Sequence, residues 1–172
     1  MIIKILGSML VVCATAMMGF GYAAKLEKRK ASLGGFLSAL SMLETEIGFV
    51  STPLKTAFLS ISNAMDTSVG AFFKEVADNI GSNGDGIKHS WEKALDICTS
   101  AMTLTAADVE VLETFAVQLG KTDRENQLKN IAHTKALLNV QLTHAADACG
   151  KNKKMYQSAG ILSGCLIAIL LF

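Results

Sequence analysis

Residues 5–24 read ILGSMLVVCATAMMGFGYAA, twenty positions without a charged side chain, and residues 155–172 read MYQSAGILSGCLIAILLF, eighteen more. A helix rising about 1.5 Å per residue carries either stretch across a hydrocarbon core about 30 Å thick. The apolar excess of the chain sits in these ends. At 172 residues, 51% of them hydrophobic, and a mean hydropathy of +0.38, the sequence is too apolar for one ordinary soluble domain and divides naturally into three. The expected parts are a transmembrane helix over 1–24, a helical domain over 25–154 and a second transmembrane helix over 155–172.

The formal net charge of +1 hides a separation. Lys25, Lys28, Arg29 and Lys30 follow the first apolar run, and Lys151, Lys153 and Lys154 precede the second. Both clusters flank the middle domain, so the positive-inside rule puts residues 25–154 in the cytoplasm and both termini outside. Between the clusters, residues 31–150 carry eight basic and fourteen acidic side chains, the reverse of what phosphate neutralisation requires. No nucleic-acid partner is expected. A cleaved signal peptide is the rival reading of the N-terminus, with Lys4 as its charged region and Gly21-Tyr22-Ala23 as cleavage site. The basic stretch after the run and the length of the run oppose it.

Leu33, Phe36, Leu37, Leu40, Leu43 and Ile47 recur at spacings of three and four, which predicts a helix starting near Ser32 and closed by Gly48 and Pro53. Thr52 as N-cap with Pro53 in the first turn opens a second helix through Ala57, Phe58 and Ile61. A third follows Asp66 or Thr67, with Phe72, Phe73, Val76 and Ile80. The turn-forming stretch from Gly81 to Gly86 leads to a fourth over about 87–101, with Trp91, Leu95 and Cys98 on one stripe. Thr105-x-x-Asp108 and Thr122-x-x-Glu125 are capping boxes for a fifth and a long sixth helix, and Gly120 between them suits a left-handed helix end. No segment alternates with period two. The fold class is all-α, an antiparallel bundle of about six helices with a transmembrane helix at each end.

Chemistry is harder to find. The Gly81-to-Gly86 loop lacks the Lys-Ser/Thr ending of a phosphate loop and follows a helix. His133 and His144 share a helix face but stand about 16 Å apart along it, beyond one metal ion's reach. Glu44 and Glu46 diverge on their helix, no serine sits in a nucleophile elbow, and Cys13, Cys98, Cys149 and Cys165 form no CxxC pair. The chain is therefore expected to be no enzyme, with no cofactor, metal or small-molecule substrate. In the apolar ends, Gly160, Gly164 and Ala168 form one small-residue stripe and Thr15, Gly19 and Ala23 another, a spacing that lets membrane helices approach closely.

The string from Leu119 to Gln127, LGKTDRENQ, together with ALSMLETEI at 39–47 and Thr52-Pro53-Leu54, resembles the stage III sporulation protein AB family. Trp91 with Lys93-Ala94-Leu95, and an apolar span at each end, fall where that family has them. Gly34-Gly35 departs from its pattern. The resemblance implies a component of the channel complex in the mother-cell membrane facing the forespore. It also implies a likeness to the cytoplasmic domains of the inner-membrane platform protein of type II secretion and type IV pilus machines, which dock a hexameric ATPase. The implied partners are the sporulation AA-type hexameric ATPase, other membrane proteins of the same complex and membrane lipids. The candidate contact residues are Glu110 and Glu113, three apart on the fifth helix, with Asp123, Asn126 and Gln127 from the motif. A generic membrane-anchored scaffold or signalling bundle is the alternative.

Overall fold

The computed structural model describes residues 2–50, 52–81 and 86–171. Residues 82–85 of the expected loop lie outside the described residues; of its ends, Gly81 is left-handed at φ 81° and Gly86 is the N-cap of the helix that follows. The elements are α1 (Ile2–Thr45), a π-helical turn (Glu46–Val50), α2 (Leu54–Ala64), α3 (Ser68–Asn79), α4 (Ile87–Met102), α5 (Ala106–Gln118) and α6 (Arg124–Leu171). The fold is all-α, with six α-helices and no strand among the described residues. One helix among them, over Met9–Phe49, is long and apolar enough to cross a membrane. The chain forms two compact units, Met1–Lys30 with His144–Phe172, and Ala31–Thr143.

Three expected boundaries move. No helix starts near Ser32, because α1 runs through it without a break. Residues 24–31 are strong helix formers throughout. The Ser32 hydroxyl, which an N-cap would use, is buried and donates instead to the Met102 carbonyl at 3.0 Å. Gly34 and Gly35 are carried inside the helix, and a Cβ on Gly35 would stand 3.0 Å from Val69 Cγ2, so its bareness lets α3 come close. At α2 the N-cap is Pro53 rather than Thr52, because the Thr52 hydroxyl donates to Glu46 Oε2 at 2.7 Å. At α6 the expected Thr122–Glu125 box is absent. Asp123 stands before the first helical residue and takes Asn126 Nδ2 at 2.5 Å, Gln127 Nε2 donates to the Thr122 carbonyl at 2.8 Å, and Glu125 pairs with Lys129 at 2.7 Å.

Other boundaries lie where the sequence puts them. Thr67 caps α3 by accepting from the Gly70 amide at 3.3 Å. Asp108 Oδ2 accepts from the Thr105 amide at 2.8 Å in the capping box of α5. Gly120 follows α5 at φ 76°.

In the unit of residues 31–143 the core is aromatic. Trp91 on α4 is fully buried and meets Phe72 edge-on at 4.9 Å, Phe115 at 5.4 Å, Phe73 at 5.7 Å and Phe58 at 6.0 Å, while Phe36 on α1 meets Phe72 at 5.3 Å. Each such pair adds about 0.5–1.5 kcal/mol beyond the area it buries. Leu40 and Leu43 of α1, and Ile131 and Leu138 of α6, complete the apolar interior.

The unit formed by the chain ends is built the opposite way. A Cβ on Gly19 would lie 2.5 Å from the Tyr156 carbonyl oxygen, one on Gly160 would lie 2.8 Å from the Thr15 carbonyl oxygen, and one on Gly164 would lie 2.9 Å from Val12 Cα. The two helical segments therefore run antiparallel with backbones in contact. Met9, Leu10, Met17, Met18, Leu162, Leu166 and Ile169 point outward. Small residues inside and large apolar ones outside is the arrangement that lipid favours. Tyr22 stacks on Tyr156 at 5.8 Å, Lys25 Nζ lies 5.4 Å over the Tyr22 ring, and Lys153 pairs with Glu27 at 2.5 Å. The hydrogen bond to Glu27 and then its charge raise the Lys153 pKa, so what this pair adds to stability is present below the ordinary lysine range and lost as pH climbs through the raised value.

Among the described residues, one other than glycine is left-handed. Thr103, at φ 55° just after α4, holds a conformation that costs a β-branched side chain about 1–3 kcal/mol. Its hydroxyl donates to the Met102 carbonyl at 2.8 Å, which offsets part of that cost. Replacing Thr103 with Gly is expected to stabilise the protein by about 1 kcal/mol net of the added unfolded-state entropy. Urea unfolding of the detergent-solubilised chain followed by Trp91 fluorescence measures it, and a lowered midpoint would mean that the hydroxyl outweighs the strain.

Candidate functional site

The three strings that carry the family likeness, two of them near residue 50 and the third some seventy residues on, meet at one surface. The end of α1 and its π turn bring Ile47, the next segment brings Thr52, Pro53 and Leu54, and the α5–α6 turn brings Gly120, Arg124 and Gln127. These seven line an open cleft of about 300 Å³. A second cleft of about 390 Å³ lies between Glu44, Thr45, Gly48, Phe49 and Leu128. The π turn joins them, contributing Ile47 to one and Gly48 with Phe49 to the other.

Local chemistry explains the shape. A π turn holds one more residue than an α turn and often marks a functional site. Here Ile47 stays in the core, Gly48 is buried with space for Leu128 Cδ2 3.7 Å from its would-be Cβ, and Phe49 is thrown outward to 87% exposure. Glu46 anchors the turn: besides Thr52, its carboxylate accepts from Ser60 Oγ at 3.2 Å, and its carbonyl accepts from the Thr52 amide at 3.4 Å. Glu44 is paired with Lys135 at 2.8 Å. The two glutamates thus serve separate structural contacts, as their divergence on the helix implies. The Arg124 guanidinium has no ion pair or hydrogen bond among the described residues.

The candidate residues taken from the sequence fall into three places. Gln127 lines the first cleft, with Asp123 and Asn126 bonded to each other beside it. Glu110 and Glu113 are exposed on α5 and line neither cleft. Gly160 and Gly164 lie in the helix contact with Thr15 and Gly19, and Ala168 is half-buried. His133 and His144 are exposed, and among the described residues no three His, Cys, Asp or Glu side chains gather as metal ligands. Burial, and then the Glu75 charge, push the Cys98 thiol up, which keeps it protonated and unreactive at neutral pH.

Sequence reading passed over Phe49 and Arg124. The signal for Phe49 was present: it falls about 200° around a regular helix from Ile47, off the apolar stripe, and so stands as a large apolar side chain on the polar side. Arg124 carried no comparable signal, since its lack of a partner depends on the folded arrangement.

The family model described as Stage III sporulation protein AB (spore_III_AB) matches residues 4–172. The chain belongs to the stage III sporulation protein AB family. Stage III sporulation protein AB of Bacillus subtilis (strain 168) is 33% identical over 169 residues, covering 98% of this chain and 99% of that protein. A solved structure of a stage III sporulation protein AB, SpoIIIAB, superposes with a TM-score of 0.66 at 29% identity, over 72% of this chain and 97% of that one. Family membership ties the chain to sporulation.

Gly120 holds the first cleft open, and it tests the geometry. A Cβ there would meet Ile87 Cδ1 at 2.6 Å and Leu54 Cδ1 at 3.3 Å in addition to the strain of positive φ. Gly120→Val is expected to cost about 2 kcal/mol, lowering the thermal midpoint by several degrees. A midpoint equal to that of the parent would exclude the left-handed helix end.

Proposed function

We propose that this chain is a structural, non-catalytic component of the mother-cell sporulation channel complex that docks a secretion-type hexameric ATPase and couples it to the membrane machinery. Family membership supports the sporulation role. The observation that carries the docking reading is the cleft pair around the π turn, which presents an exposed aromatic side chain and an unpaired cation. Buried aromatic and arginine anchors dominate protein–protein contacts, so such a surface suits a partner protein.

The anchor in this reading is the antiparallel hairpin of the two chain ends. The segment carrying Gly160 and Gly164 lies along the apolar part of α1, so a bilayer that takes in one takes in both. The outward side chains of each are those that lipid tails solvate. With basic clusters flanking both spans on the domain side, the domain faces the mother-cell cytoplasm and the termini lie across the membrane. An alkaline phosphatase fused to the C-terminus is expected to be active and a green fluorescent protein inserted in the 81–86 loop to fluoresce. A fluorescent protein that is bright at the C-terminus as well as in the loop would refute the hairpin, and the inverse pattern would reverse its orientation.

The docking reading is tested with the full chain in detergent and the purified sporulation AA-type ATPase of the same organism. A stable complex is expected, with ATP hydrolysis confined to the ATPase. The domain's acidic excess makes its long-range attraction salt-sensitive, screened beyond about 8 Å at physiological ionic strength. Absence of any complex at low salt would leave the alternative of a generic membrane-anchored scaffold.

A further inference from the structure

Arg124 stands at the lip of the first cleft and is the one charged residue among those that line it. In the second cleft the single charged residue, Glu44, is already neutralised by Lys135. Glu46, close by, spends both carboxylate oxygens on Thr52 and Ser60. The charge left without a partner at this surface is therefore positive, and it is a guanidinium, whose planar fork of donors suits a carboxylate in a bidentate pair.

Around it the surface is concave and mixed, with apolar side chains beside Thr52 and Gln127. Ile47, Pro53 and Leu54 border the first cleft, and Phe49, 87% exposed, borders the second. An exposed phenylalanine carried on a turn fixed by three contacts from Glu46 costs little ordering entropy when it is covered. The lining of the two clefts thus asks for an occupant with one carboxylate and apolar side chains on either side of it.

We infer that the paired clefts receive an acidic, apolar-flanked segment of the partner protein, its carboxylate on Arg124 and its apolar side chains against Phe49, Pro53 and Leu54. This rests on the docking reading and names the contact within it. It assigns the principal contact to Arg124 and Phe49 rather than to Glu110 and Glu113 on α5. Closing the cleft over the pair excludes water, so reversing the charge leaves a carboxylate facing a carboxylate in a desolvated site and raises the dissociation rate.

The experiment compares the full chain and three variants, Arg124→Glu, Phe49→Ser and the Glu110→Lys, Glu113→Lys double substitution, for binding to the purified ATPase. Helix content and thermal midpoint are checked for each, and Arg124→Ala substitutes for Arg124→Glu if the latter unfolds. Arg124→Glu and Phe49→Ser are each expected to weaken binding at least about tenfold, and the double substitution by less than about threefold. A benzophenone amino acid in place of Phe49 is expected to crosslink to an ATPase peptide containing Asp or Glu. A Lys substitution of that acidic residue should restore binding to Arg124→Glu. If the ATPase binds the parent and both single variants equally, or the crosslink joins two copies of this chain or a peptide without an acidic side chain, the inference is overturned while docking stands. If the ATPase binds none of the proteins, the docking reading itself falls, and the inference with it.

Discussion

The unit of residues 31–143 depends on the burial of one side chain. Trp91 is fully enclosed, and its ring meets Phe58 of α2, Phe72 and Phe73 of α3 and Phe115 of α5. Its indole nitrogen finds no hydrogen-bond acceptor among the described residues. A buried unsatisfied donor costs about 1–3 kcal/mol, and the ring is retained because area burial together with edge-on aromatic contacts outweighs that cost. Phe36 extends the same cluster to α1 through Phe72. One residue on α4 therefore holds together helices from both sides of the 81–86 connection.

The two units apply opposite packing rules to one chain. In the unit of residues 31–143 large side chains fill the interior and the carboxylates, the buried capping Asp108 aside, lie toward the surface. In the hairpin, Gly19, Gly160 and Gly164 occupy the contact while methionine, leucine and isoleucine face out. Hydrophobic burial drives the first arrangement. In the second, close backbone contact at the three glycines takes that place.

The sequence made the helix interiors legible because their signals are local. The stripe through Phe72, Phe73 and Val76, the Thr67 cap, the Thr105–Asp108 box and the left-handed Gly120 each follow from a few neighbouring residues. What it left hidden depends on the folded arrangement rather than on the local pattern. Ser32 read as a helix start because its acceptor, the Met102 carbonyl, lies seventy positions away. Thr52 read as a cap because Glu46 was not known to claim its hydroxyl. Thr103 gave no sign of positive φ, since a β-branched residue there opposes local preference and only the surrounding packing imposes it. The site was legible in its pieces and not in its assembly: the strings at 39–47, 52–54 and 119–127 carried the family likeness, and their meeting at one cleft is a property of the bundle.

The π turn also bears on how chain length and surface are coupled. A π turn holds one residue more than an α turn, so a surplus residue is taken up locally instead of rotating everything beyond it by about 100°. Glu46–Val50 holds such a surplus at the end of α1. A relative one residue shorter between Thr45 and Thr52 could keep every core contact of α1 through Leu43 and still present no outward phenylalanine. Gain or loss of a recognition surface would then be a matter of a single codon, with the bundle that carries it left intact.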